Sequence, residues 1–204
     1  MSARGQGRWL GRKFFARPVL KVAPELIGKY LVHSTAAGAA SGRIVEVEAY
    51  DGPEDQASHA RFGPTPRAKI MFGPAGIAYV YLIYGMYDCF NVVTGREGEA
   101  SAVLVRAVAS VSLPTGPTGS AGRTDGPGKL CRALGITRAH NGVDLTLGVP
   151  LGIEDRAEPA PKLSATPRIG VDYAGEWAAR PWRFIETPAR DAASAPSAPR
   201  RRKS

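Results

Sequence analysis

Cysteine is scarce: Cys89 and Cys131 are the only two in 204 residues. They form neither a disulfide framework nor a CxxC pair, and no metal-ligand cluster stands near them, so no cofactor or metal is expected. Such sparse cysteine usage suits a reducing, intracellular compartment. Long apolar runs are also missing. No uninterrupted stretch reaches membrane-spanning length, and the Arg-rich start around Trp9 and Phe14-Phe15 lacks the extended apolar segment of a secretion signal. Acidic residues are in deficit, 18 Asp plus Glu against 27 Lys plus Arg, which leaves a formal charge of +9. A polyanion is the natural partner of such a surface. Part of the excess, however, sits in the terminal Arg-Arg-Arg-Lys of residues 200–203, and charge alone does not separate nucleic-acid binding from solubility.

What is present suits one domain with frayed ends. Residues 1–8, rich in Gly, Ser, Arg and Gln, read as a mobile N-terminus. Residues 9–186 read as the folded unit, and residues 187–204, dominated by Ala, Ser, Pro and Arg, as a disordered basic tail. Pro24 suits a helix start and Gly28 its end, ahead of a strand toward His33. Residues 36–42 make a loop or hairpin tip, residues 77–83 alternate as a strand, and 90–93 and 102–108 add two more. Their many β-branched residues indicate a buried, mostly antiparallel sheet. Residues 109–125 read as a long surface loop, the stretch after Gly126 as a helix, and 182–185 as the last strand.

The chemistry concentrates between Gly42 and His59. Alternation from Arg43 to Tyr50 places Val45, Val47 and Ala49 on one strand face and Glu46, Glu48 and Tyr50 on the other. The strand stops at Asp51-Gly-Pro and His59 follows, so a carboxylate, a phenol and an imidazole can converge. An amphipathic strand with a solvated face would give the same pattern. The stretch from Tyr79 to Tyr87 adds four tyrosines, and Gly85 marks a turn that leaves Tyr84 exposed at a tip, where it can intercalate. Arg61, Arg67 and Lys69 lie on a Pro-rich loop able to meet phosphates. Arg106 stands inside an apolar run, where a guanidinium needs an anion, either Glu48 or a DNA phosphate. Gly128-Lys129 fails as a P-loop because Leu130 replaces the Ser or Thr, which leaves a helix N-terminus with Lys129 beside a phosphate. Glu46 and Glu48 could also serve as the paired carboxylates of a carbohydrate hydrolase, a reading that the basic charge disfavours.

The strings Glu46-Val-Glu48-Ala-Tyr50 with Gly-Pro-Glu-Asp-Gln-Ala-Ser-His59, then Met71-Phe-Gly-Pro, Tyr79-Val-Tyr-Leu-Ile-Tyr-Gly-Met86 and Gly126-Pro-Gly-Lys-Leu, together resemble the alkyladenine (3-methyladenine) DNA glycosylase family. The resemblance covers about residues 10–186. It implies an α+β single domain, built on a curved, mostly antiparallel β-sheet with flanking helices and a protruding β-hairpin. It also implies a monomeric, cytoplasmic (or, in a eukaryote, nuclear) base-excision enzyme that flips damaged purines out of double-stranded DNA and hydrolyses the N-glycosidic bond without a metal. Carried over by position, Glu48 activates the water, with Arg106 near that water and the target phosphate. Tyr50, His59 and Tyr81 line the base pocket, Asn91 tests the purine edge, and Tyr84 fills the gap in the helix. A module that flips bases without cutting them is the remaining alternative, opposed only by Glu48. Lesion preference is the least determined property, because residues 109–125 match no motif.

Overall fold

The computed structural model describes residues 7–114 and 122–187. Nine strands among these residues form one sheet in which every pairing is antiparallel. The main path runs β1 (Arg8–Trp9), β7 (Leu151–Asp155), β2 (Tyr30–Thr35), β3 (Gly38–Tyr50), β6 (Ser101–Ser112), β5 (Tyr87–Thr94) and β4 (Ala78–Ile83). Off this path, β8 (Leu163–Thr166) pairs with β9 (Arg183–Glu186). The long strand β3 is the spine. One edge carries β6, while the other is shared by β2 along its first half and β9 along residues 46–48. Three register shifts interrupt the pairing of β3 with β6, two of them at residues 44–47.

These shifts correct the simple alternation. Ile44 pairs with Val108 and Glu46 with Ala107, so Val45 is the extra residue on β3; Glu46 with Ala107 and Val47 with Val105 then leave Arg106 as the extra residue on β6. The buried core face of β3 is consequently Ile44, Val47 and Ala49, while Val45 is only half-buried. Glu46, Glu48 and Tyr50 keep the opposite face, as alternation requires beyond the bulge.

The apolar side of the sheet is covered by α2 (Val19–Leu26), through Val19, Val22, Ala23 and Leu26, and by α3 (Pro127–Leu134), through Leu130, Cys131 and Leu134. A one-turn helix α1 (Arg12–Phe15) adds the fully buried Phe15. Helix α2 begins well before Pro24, behind Pro18, and accommodates Pro24 in its final turn at the loss of one backbone donor; Gly28, at φ 88°, then turns the chain into β2. Strand β6 is longer than its apolar stretch, with residues 109–112 pairing instead of looping, because Arg43 and Ser41 supply partners. Arg8 is likewise paired, opposite Asp155. Residues 1–6, 115–121 and 188–204, which hold most of the expected N-terminal segment, the centre of the expected loop and nearly all of the expected tail, lie outside the described residues.

Strands β4 and β5 form the hairpin foreseen around Gly85. Its turn places both Tyr84 (φ 51°) and Gly85 (φ 70°) in the left-handed region and is closed by the Met86 amide donating to the Ile83 carbonyl. Glycine adopts that conformation freely, whereas a tyrosine there is strained by about 1–2 kcal/mol.

Candidate active site

A cavity of about 330 Å³ opens between the β4–β5 hairpin, β6, a short 3-10 turn at His59–Phe62 and the loop at residues 169–173. The structure brings together in its wall Tyr50, His59, Tyr81, Asn91, Arg106 and the hairpin-tip Tyr84. Tyr79 joins them, a residue of the aromatic stretch left without a role by sequence reasoning although it shares a strand face with Tyr81. The rings of Tyr79 and Tyr81 lie 5.0 Å apart, and His59 meets Tyr81 edge-on at 4.7 Å. His59 Nδ1 and the Tyr79 hydroxyl share a hydrogen bond of 2.8 Å. Burial, then the nearby Arg67 and Arg61 cations, hold the His59 pKa below its ordinary value, so the ring is neutral near pH 7. Burial raises Tyr50, Tyr79 and Tyr81, which stay phenols. The Asn91 amide donates to the carbonyls of Tyr79 and Cys89, and so is fixed in orientation across the hairpin.

Glu48 lies one layer behind this wall, fully buried. One oxygen accepts from the Tyr50 hydroxyl (2.9 Å) and from Arg106 Nη1 (3.3 Å), the other from the backbone N–H of Ile169 (2.8 Å). All three donors belong to residues that line the cavity. Three hydrogen bonds of this kind are what a buried carboxylate requires. Arg106 finds its anion twice, donating through Nε to Glu46 (3.1 Å) as well as to Glu48, and Arg183 Nε also donates to Glu46 (2.6 Å). Glu46 and Glu48 therefore flank one guanidinium. They do not face each other across an open cleft as an acid–base pair for a sugar would need.

A family model for methylpurine-DNA glycosylase matches residues 13–190. The chain belongs to the methylpurine-DNA glycosylase family. It is 57% identical over 176 residues to a protein of Anaeromyxobacter sp. (strain Fw109-5), covering 86% of this chain and 87% of the relative. It is 55% identical over 177 residues to one of Myxococcus xanthus (86% and 89% covered) and 50% identical over 184 residues to one of Methanocella arvoryzae (87% and 92% covered). Each of these relatives bears the name "Putative 3-methyladenine DNA glycosylase". Family and relatives together make the chain a DNA glycosylase for alkylated bases, with DNA as its substrate.

The glycosylase also has a buried clamp that no sequence motif marks. Arg168 and Asp55 have fully buried side chains and form a forked ion pair at 2.5 and 2.9 Å. Arg168 also donates to the carbonyls of Ala49 and Trp177, and its guanidinium lies 4.8 Å from the Tyr50 ring and 5.1 Å from Trp182. It thereby ties the end of β3 to the turn at Asp55 and to the 3-10 segment Asp172–Ala179, and presents the next residue, Ile169, to Glu48. No local pattern marks a partner 113 residues away.

The basic residues fall into two groups. Arg67 lines the cavity with its guanidinium 6.0 Å from the Tyr81 ring, and Arg61 and Lys69 flank it in sequence; none of the three has a carboxylate partner among the described residues. Lys129 instead forms a salt bridge with Asp125 (3.0 Å), to which Arg123 also donates. The first residue of α3, Pro127, does reach the cavity. Among the described residues no helix is long and apolar enough to cross a membrane.

Proposed function

We propose that this glycosylase rotates an alkylated or deaminated purine nucleotide out of duplex DNA into the aromatic cavity, where a water activated by Glu48 hydrolyses its N-glycosidic bond. The observation that carries this reading is the placement of Glu48: a carboxylate held by Tyr50, Arg106 and Ile169 directly behind a tyrosine-lined cavity. Breaking the bond builds positive charge on the sugar, so a carboxylate that takes a proton from water and faces that charge acts twice. Arg106 holds the carboxylate and reaches the cavity, where a target phosphate would meet it.

A purine alkylated at N3 or N7 is a cation, and the neutral faces of Tyr50, Tyr81 and Tyr79 attract it while a neutral His59 does not repel it. Asn91, fixed by two carbonyls, tests the edge of the base. Tyr84, 81% exposed at the hairpin tip, takes the place of the departed nucleotide. Arg61, Arg67 and Lys69 bind the backbone of a duplex, on which the enzyme acts as a monomer. Lys129 joins them only by giving up Asp125.

The test is a duplex oligonucleotide with a single hypoxanthine, incubated with the protein and heated in alkali. Strand scission at the lesion is expected; binding without scission would leave only a damage-binding module. Among the described residues no lysine lines the cavity, so a Schiff-base route lacks its amine and the product is an abasic site in an intact strand. Borohydride should accordingly trap no protein–DNA adduct during turnover.

A further inference from the structure

If the function proposed above holds, the nucleotide in the cavity remains attached to its strand, and its neighbours lie across the cavity rim. Flipping one nucleotide leaves unstacked base faces on both neighbours and on the widowed partner, more than the single ring of Tyr84 can cover. The rim carries a second aromatic group. Tyr173 lines the cavity, is 62% exposed, and donates through its hydroxyl to the carbonyl of Ala57. The Arg61 guanidinium sits 4.8 Å from the Tyr173 ring and 4.4 Å from the ring of Phe62, which is itself 67% exposed.

The backbone that bears Phe62 is held in place. The 3-10 turn that bears it starts at the cavity residue His59, is capped by the Ser58 hydroxyl accepting from the Ala60 amide, and is closed by the Gly63 amide donating to Ala60. Arg61 is fixed in turn by donating to the Gln56 carbonyl, and no carboxylate neutralises it among the described residues. An aromatic ring on a fixed turn, backed by an unneutralised cation, is the combination that recognises a nucleobase next to a phosphate.

We propose that Phe62, supported by Arg61 and Tyr173, is a second stacking finger that packs on a nucleobase beside the flipped nucleotide. It belongs to a different element from Tyr84 and acts independently of it.

The experiment is fluorescence anisotropy with two duplexes, one carrying a single reduced abasic residue and one undamaged. The proteins are the wild type, Phe62→Ala, Phe62→Trp, Tyr84→Ala and the double Ala variant. Phe62→Ala is expected to weaken binding of the abasic duplex roughly five- to hundredfold, with a much smaller loss on the undamaged duplex. Phe62→Trp should bind the abasic duplex better than Phe62→Ala, and the double variant should lose about the product of the two single losses. The proposal is overturned if Phe62→Ala binds the abasic duplex as the wild type does, or weakens on both duplexes equally. It is overturned too if Phe62→Trp binds no better than Phe62→Ala, or if the double variant is no worse than Tyr84→Ala alone. Unchanged thermal unfolding of Phe62→Ala is expected, given the exposure of the ring. Hypoxanthine excision by the wild type, run in parallel, separates the two levels: excision with an indifferent Phe62→Ala removes only the finger, whereas no excision removes the glycosylase reading beneath it.

Discussion

Two carboxylates two residues apart share one guanidinium, and that sharing sets what each should do. Glu48→Gln keeps size and hydrogen bonding but cannot accept a proton, so single-turnover excision should fall by at least about 10²–10⁴-fold while lesion-duplex affinity stays near wild type. From the strand pattern alone Glu46 looks dispensable, paired with some nearby cation. It pairs with two cations, Arg183 and Arg106, and Arg106 also holds Glu48. Glu46→Gln should therefore cost about tenfold in excision, because a hydrogen bond to a charged group contributes roughly 1.5–3 kcal/mol and glutamine retains part of it. If Glu46→Gln were inert or as dead as Glu48→Gln, the relay through Arg106 would be wrong. His59 gives a pH test. Its pKa is lowered by burial and by Arg67 and Arg61, so excision of a cationic lesion should hold as pH falls to the usual histidine value of 6.5 and decline below it, as the imidazole charges and repels the base. His59→Gln should remove that limb, and hypoxanthine, being neutral, should show less of it. Stability follows the same sign. The unfolded chain's imidazole takes its proton first, so folding free energy is lost as pH drops from about 6.5 through the lowered folded value.

At the scale of elements, local grammar made some of the site legible and left the rest hidden. The hairpin tip at Tyr84-Gly85 and the carboxylate face of β3 follow from alternation and turn chemistry, and both are present. The bulges that leave Val45 and Arg106 unpaired do not, because they depend on how β3 and β6 settle against each other. Strand β7 and the 167–171 loop were silent for a similar reason, their partners being far away in the chain. The Arg168–Asp55 clamp makes this measurable. Arg168→Met should destabilise the fold by about 3–5 kcal/mol, the cost of leaving one buried charge without its partner. Adding Asp55→Leu should recover most of the urea midpoint, since an apolar pair of similar volume can replace a buried ion pair. Excision by the double variant should stay low, because the Ile169 amide is no longer held against Glu48. Full recovery of excision along with stability would mean that the clamp holds the fold and not the site.

Over the whole molecule the 27 Lys and Arg residues are less available to a partner than their number suggests. Many cations are committed internally: Lys29 to Asp155, Arg43 to Glu158 and Glu186, Arg106 and Arg183 to Glu46. Among the described residues Arg61, Arg67 and Lys69 lack a carboxylate partner, and they follow His59 in one segment: Arg61 on the 3-10 turn His59–Phe62, Lys69 at the start of the next turn, Lys69–Phe72, and Arg67 between them in the cavity wall. If they bind phosphates, duplex affinity should fall linearly on a plot of log K against log salt, with a slope of about 0.9 for each phosphate neutralised. Lys69→Ala should lower that slope by about one phosphate and weaken lesion and undamaged duplexes alike, since phosphate contacts carry no information about the base. Lys129→Ala should change it by less, because Lys129 must first release Asp125, which Arg123 continues to hold once Lys129 is gone. Titrations of the three proteins between 50 and 200 mM salt, roughly the range over which counterion release is largest in effect, decide the matter. A steeper loss from Lys129→Ala than from Lys69→Ala would move the DNA track from the segment after His59 to the first turn of α3.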